Sequence, residues 1–220
     1  MAQLNSLGSW NIVNLKITFN DKWSAFGEAQ LRSLKFYNNF HYYEYKAAVS
    51  YRLDKNFSFT AGLGDYNTFS EGGSFKRPLV NDEFRSWLQV NLLQRYKRVN
   101  FEHRYRAEQR FTSNGFRNRF RYRLSLTAPL NKAKIEPGSL FLNCSNELFF
   151  TNKAPYFERN RFFIGMGYEL TSHFAMQAGF LNQFDYRIND ETGRNFFQLS
   201  WLIDIDWNKK VLRENAPAAD

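Results

Sequence analysis

The chain has 220 residues, 19% of them aromatic and 23% charged, with a formal net charge of +9, and its length suits one domain with a substantial buried surface. A single cysteine, Cys144, excludes an intramolecular disulfide framework and any metal site built on a pair of thiolates. Mean hydropathy is -0.58 and no run of about 20 apolar residues occurs, which excludes a membrane-spanning helix but not a barrel whose strands alternate apolar and polar residues.

Hydropathy alternates with a period of two in one segment after another, the mark of β-strands. The opening MAQLNSLGSW holds no apolar leader core, so an exported protein is expected here as a form whose leader has been removed. Residues 9–19 set Val13, Leu15, Ile17 and Phe19 against Asn14, Lys16 and Thr18, before a turn at Asn20-Asp21-Lys22. A second segment, 23–36, sets Ala25, Gly27, Ala29 and Leu31 against Glu28, Gln30 and Arg32. A third, 40–53, opposes Tyr43, Tyr45, Ala47, Val49 and Tyr51 to Glu44, Lys46, Ser50 and Arg52. The turn at Asp54-Lys55-Asn56 leads into a fourth, with Phe57, Phe59, Ala61 and Leu63 opposite Ser58, Thr60, Gly62 and Gly64. Residues 65–81, rich in Gly, Ser and Asn and holding Pro78, read as a long functional or mobile loop. The fifth segment, 82–95, carries Phe84, Leu88, Val90 and Leu92 opposite Glu83, Arg85, Gln89 and Asn91.

The sixth and seventh segments fall within 99–130 and write arginine on alternate residues. Arg104, Arg106 and Arg110 share a parity with Glu102 and Glu108, and Arg117, Arg119, Arg121 and Arg123 share one in the next run. The other parity reads Val99, Phe101, His103, Tyr105 and Ala107, then Phe116, Phe120, Tyr122, Leu124 and Leu126. After Pro129 and Pro137-Gly138 comes an eighth segment, 139–150, with Asn143, Ser145 and Glu147, and a ninth, 157–170, with Arg159 and Arg161. A tenth spans 173–185, and the last, 194–207, sets Leu199, Trp201, Ile203, Ile205 and Trp207 against Gln198, Ser200, Asp204 and Asp206. Residues 1–208 are expected to form one barrel domain and 209–220 a polar, disordered tail.

The segments predict an all-β, antiparallel up-and-down transmembrane β-barrel. About eleven are visible, and since single-chain bacterial barrels have even numbers, about 10–12 strands are expected, with 12 favoured. Tight turns near Asn20, Lys55, Lys97, Lys132 and Ser172 are expected on the periplasmic side, and longer loops near Asn38, Gly72, Asn114, Ala154 and Asp190 outside.

Arginines facing hydrocarbon at mid-depth cost about 2–4 kcal/mol each, so four on one strand cost on the order of 10 kcal/mol, the stability of a whole domain. They must face a lumen. Pairing across Asn114 sets Arg110 opposite Arg117 and Arg106 opposite Arg121; pairing around Lys97 sets Glu83 opposite Arg110 and Arg85 opposite Glu108. Glu147 is expected near Arg119 and Arg159. The predicted lumen is thus a lattice of Glu83, Arg85, Glu102, Arg104, Arg106, Glu108, Arg110, Arg117, Arg119, Arg121, Arg123, Glu147, Arg159 and Arg161. Such a lattice fills a narrow structural barrel or lines a narrow, porin-like pore; the sharper alternative is a conduit preferring small anions.

Several short motifs, in this order, carry a family resemblance: GSW at 8–10, KWSAFGEAQLR at 22–32, EFRSW at 83–87, RYRAEQRF at 104–111, RFRYRL at 119–124, NELF at 146–149 and NR at 160–161. Together they resemble an uncharacterised outer-membrane β-barrel family of Bacteroidota, a domain-of-unknown-function family, over residues 8–207. The resemblance implies a Gram-negative outer-membrane barrel and brings no substrate or catalytic residues.

Other chemistries have less support. A lipid hydrolase needs a serine placed beside a histidine, and His103 sits on the apolar parity without one. His41 and His173 lack companions at metal-ligand spacing, and no cofactor motif occurs. Alternation separates aromatics from arginines, whereas a nucleic-acid surface needs both on one face. A soluble, lipocalin-like binding barrel would turn the apolar face inward. The expected partners are outer-membrane lipid, against Phe84, Leu88, Phe101, Tyr105, Phe120, Tyr122, Leu124, Leu199, Trp201 and Ile203, and the barrel-assembly machinery, which would read the final strand. Trp23, Tyr51, Tyr96 and Trp207 are expected in interfacial aromatic belts.

Overall fold

A computed structural model describes residues 2–188 and 191–207. Within them the chain forms a closed barrel of eleven strands: β1 (Ala2–Thr18), β2 (Trp23–Lys35), β3 (Asn38–Arg52), β4 (Phe57–Ser70), β5 (Lys76–Tyr96), β6 (Val99–Thr112), β7 (Gly115–Pro129), β8 (Leu140–Thr151), β9 (Phe157–Thr171), β10 (Phe174–Asp185) and β11 (Thr192–Asp206). Each overlaps an alternating segment, and even the shortest strands, at 12 residues, are twice the usual soluble length of about 5–6. The tail expected over 209–220 lies outside the described residues.

Consecutive strands pair antiparallel, but β1 closes the barrel by lying parallel to β11, in register from Gly8 beside Phe196 to Thr18 beside Asp206. The favoured count of twelve is therefore corrected to eleven. An up-and-down chain with an odd number of strands brings its first and last strands together pointing the same way, so only a parallel seam can close it. β1 accordingly starts at one end of the barrel and β11 finishes at the other.

Two further expectations are corrected. The loop expected over 65–81 is a continuation of the wall: β4 runs to Ser70, β5 begins at Lys76, and only 71–75 connect them. Small and polar residues there were read as loop chemistry, yet they are wall chemistry on both parities of β4. Tyr66 and Asn67 are buried, and Asn67 donates to Asp65 at 2.9 Å. Nor do short and long connections alternate between the ends. Residues 36–37 and 113–114 form two-residue turns at what we call the Asn114 end, while the longest connection, 130–139, lies at the opposite, Asn20, end.

Two hairpins at the Asn20 end are closed by the same device. The side-chain oxygen of Asn20 accepts the backbone N–H groups of Lys22 and Trp23, both at 2.9 Å. Asp54 accepts those of Asn56 and Phe57 at 2.7 and 2.8 Å, and these two donors hold its carboxyl below the usual aspartate range.

The two faces of the wall are inverted relative to a soluble protein. Glu83 and Glu108 are 0% and 1% exposed, whereas Leu88 and Tyr105, on the opposite parity of the same strands, are 67% and 51% exposed. Inside, large rings occupy space left by glycines: Trp87 covers Gly62, Tyr66 covers Gly64, and Phe163 covers Gly165 and Gly179. Trp10, Ile12, Phe163, Leu181 and Phe196 join in one apolar cluster on the inner side of β1 and β9–β11. Charged and uncharged polar residues fill the remainder.

Candidate functional site

The interior of β5–β9 carries the chemistry. Alternation on β6 and β7 aims each arginine inward, and the β6–β7 register is the expected one: Arg104 faces Arg123, Arg106 faces Arg121 and Arg110 faces Arg117. Rows of like charge need interleaved carboxylates. Glu108, opposite Arg119, lies 2.5 Å from Arg121 and 3.6 to 3.8 Å from Arg85, Arg106 and Arg119.

The β5–β6 register differs by two residues from expectation. Both Lys97 and Arg98 lie in the turn, so Arg85 faces Arg110 and Trp87 faces Glu108. The expected ion pairs nevertheless form, diagonally. Glu83 accepts from Arg85 at 2.8 Å and from Arg110 at 2.7 Å, and Arg85 reaches Glu108. Glu147 is also displaced from its expected partners: it faces Arg123 and Arg161 and binds Arg121, at 2.8 Å, and Arg104 rather than Arg119 and Arg159. Glu102 pairs with Arg123 at 2.9 Å. Arg159 pairs with Asp185, and Arg161 donates to Gln183 at 2.9 Å.

Several members of the lattice were not singled out from the sequence. Glu158 enters from β9 and binds Arg119, with Nε to Oε2 at 2.9 Å, and also lies near Arg110 and Arg117. A bulge opposite Phe149 and Phe150 lets it point inward beside Arg159, which strict alternation forbids. On the other side Arg32 binds Glu44 at 3.1 Å, and Lys46 bridges Glu44, at 2.6 Å, and Glu28. The polar parities of the second and third segments were the signal for these. With Asp185, the lattice comprises twelve basic and eight acidic side chains, so the positive excess expected of it is four.

Aromatic faces share the load of these cations. Arg32 stacks 3.4 Å from the Trp10 ring centroid and 4.0 Å from that of Tyr42; Arg85 lies 3.7 Å over Tyr66, and Arg106 4.0 Å over Trp87. The layer is densest around Glu108 and Arg119 and loosens toward both ends, where Arg117 on the Asn114 side retains 39% side-chain exposure and Arg123 and Glu102 on the Asn20 side 31% and 36%. Each carboxylate of the lattice is engaged by at least one cation, so none stands free to exchange a proton with a substrate.

His103 and His173 lie apart from this network, and His41 sits beside Arg32 at its edge. His103, on the outer face, hydrogen-bonds the Tyr122 hydroxyl at 2.9 Å; His173 meets the Asp204 carbonyl at 2.9 Å; His41, near the start of β3, is half-buried with its Nδ1 enclosed and without a partner. Among the described residues no three His, Cys, Asp or Glu side chains gather as metal ligands would.

No curated protein and no solved structure matches the chain. A family model does match, described as "Protein of unknown function (DUF2490)", and it covers residues 7–194, from within β1 around the barrel to the start of β11. Having that match over most of its length, the chain belongs to this uncharacterised family.

Proposed function

We propose that the protein is an integral outer-membrane β-barrel with lipid outside and a closed, ion-paired interior, serving as a structural or surface-presenting barrel without enzymatic activity. The inverted polarity of the wall carries this reading. Burying ion pairs in place of apolar side chains gives a soluble protein no net stability, and leaving Leu88, Tyr105, Phe84 and Phe120 in water forfeits the hydrophobic term as well. In lipid both choices become favourable, because the apolar face is solvated by acyl chains and the arginines avoid them. Trp23, Tyr96 and Trp207 stand exposed at strand ends on the Asn20 side, where an aromatic belt would meet headgroups. The resemblance of its motif order to an outer-membrane barrel family of Bacteroidota supports the same compartment.

The second reading, a conduit for small anions, draws on the positive excess of the lattice. The tight packing of Arg85, Arg110 and Arg119 around Glu83 and Glu108 favours closure instead. Heat-modifiable migration in gels and planar-bilayer current test both together. Heat-modifiable protein that inserts and passes no steady current supports the closed barrel. A steady anion-selective current moves the assignment to a conduit, and protein that stays dispersed without detergent and migrates alike before and after heating contradicts the membrane reading.

A further inference from the structure

The positive excess of the lattice is concentrated at one place. Every other arginine and lysine of the lattice has a carboxylate oxygen within 4.0 Å, but among the described residues Arg161 has none. Glu147 faces it across the β8–β9 ladder, yet that carboxylate is turned toward Arg104 and Arg121. Arg161 keeps a single neutral partner, the Gln183 side-chain oxygen, and lies 4.8 Å from the ring centroids of both Trp10 and Phe149. The cations Arg159, Arg32 and Arg121 lie around it, and the more distant carboxylates of Glu147 and Asp185 only partly offset them.

Arg32 shares the Trp10 ring with it, and its Nε is buried without a partner although the side chain is only 9% exposed. Two guanidinium groups thus meet at one indole, one with no carboxylate oxygen within 4.0 Å and the other presenting an unused donor. Aromatic faces attract a cation but do not neutralise it, and a buried cation needs an anion. The planar fork of arginine is matched to the two oxygens of a carboxylate or phosphate group. We infer that Arg161 and Arg32 form an oxyanion-binding site beside Trp10, inside the barrel, for a carboxylate or phosphate group. The site depends on the interior geometry and not on which solvent surrounds the wall.

Thermal unfolding of the full-length, detergent-folded protein in sodium phosphate, acetate and chloride at equal ionic strength and pH tests this. Wild type and the turn variant Lys55→Gln should gain a saturable rise in Tm with an oxyanion over chloride, as binding to the native state requires, and Arg161→Met should lose it. A rise with phosphate alone assigns a phosphate group, and one with acetate alone a carboxylate. General salt stabilisation acts on all variants alike, so an equal rise in wild type and Arg161→Met overturns the site. If Arg161→Met does not fold, calorimetric titration of inorganic phosphate and of acetate into wild type decides: saturable one-to-one heat with either supports the site, and none with both overturns it. A negative result with heat-modifiable protein overturns the site while leaving the membrane reading intact.

Discussion

Arg110 and Arg117 stand directly opposite one another across the β6–β7 ladder, and one carboxylate, Glu158 of β9, lies 3.4 Å from the first and 3.7 Å from the second. Like charges directly opposite in a ladder destabilise it, and the anion that bridges this pair arrives from a strand remote from both in sequence, beside the Glu83 that also holds Arg110. Glu158 also holds Arg119, opposite Glu108 on the same ladder.

Removing that anion should be costly. Glu158→Gln leaves three guanidinium groups crowded without their shared partner, and a loss of about 3 kcal/mol is expected, the lower end for breaking a buried ion pair because Glu158 is 17% exposed. Adding Arg117→Met should recover part of it by removing one of the like charges. Denaturant unfolding of the single and double variants measures both, and a double variant less stable than Glu158→Gln would speak against charge relief as Glu158's role.

Much of this was legible from alternation alone. The eleven segments, the inward parity of the arginines and the opposition of Arg106 to Arg121 follow from a period of two and one turn at Asn114. What alternation missed has local causes. Glu158 sits on the wrong parity and points inward only through a bulge, and the two-residue turn at Lys97 and Arg98 moved the β5–β6 register by two. Closure was hidden because a parallel β1–β11 seam joins the two most distant segments and leaves no turn signal between them. The stretch around Tyr66 and Asn67 read as loop because Asp65 and Asn67 stand on the parity that is apolar up to Leu63, so the alternation breaks there although the strand continues. The orphan position of Arg161 needed side-chain geometry, since Glu147 lies opposite it in the register and pairs elsewhere.

The glycines beneath the rings should be intolerant of even one methyl group. A Cβ at Gly62 would run into the indole of Trp87, so Gly62→Ala should cost about 1–3 kcal/mol by overpacking. Trp87→Phe removes the overlapping part of the ring. Combined with Gly62→Ala it should be less harmful than the two separate losses summed, and strict additivity of the Tm shifts would contradict the packing described.

Acid should weaken one hairpin in a predictable direction. The Asp54 carboxyl is held below its ordinary range by two backbone donors, so its contribution is fully present above the unfolded-state value and is lost as pH falls through the lower, folded one. The stability difference between wild type and Asp54→Ala should therefore be largest at neutral pH and shrink on acidification. A difference constant across the carboxylate range would mean that the charge of Asp54 does not act on the turn.

The cost of placing charge on the outer face most directly tests whether lipid surrounds this barrel. Leu88 is 67% exposed in the long β5 strand, between the inward-facing Trp87 and Gln89. With the protein folded into phospholipid bilayers, Leu88→Arg should lower the unfolding free energy by about 2–4 kcal/mol, the range for arginine near the bilayer midplane. A change within about 0.5 kcal/mol, ordinary for an exposed position in water, would contradict a wall that faces lipid.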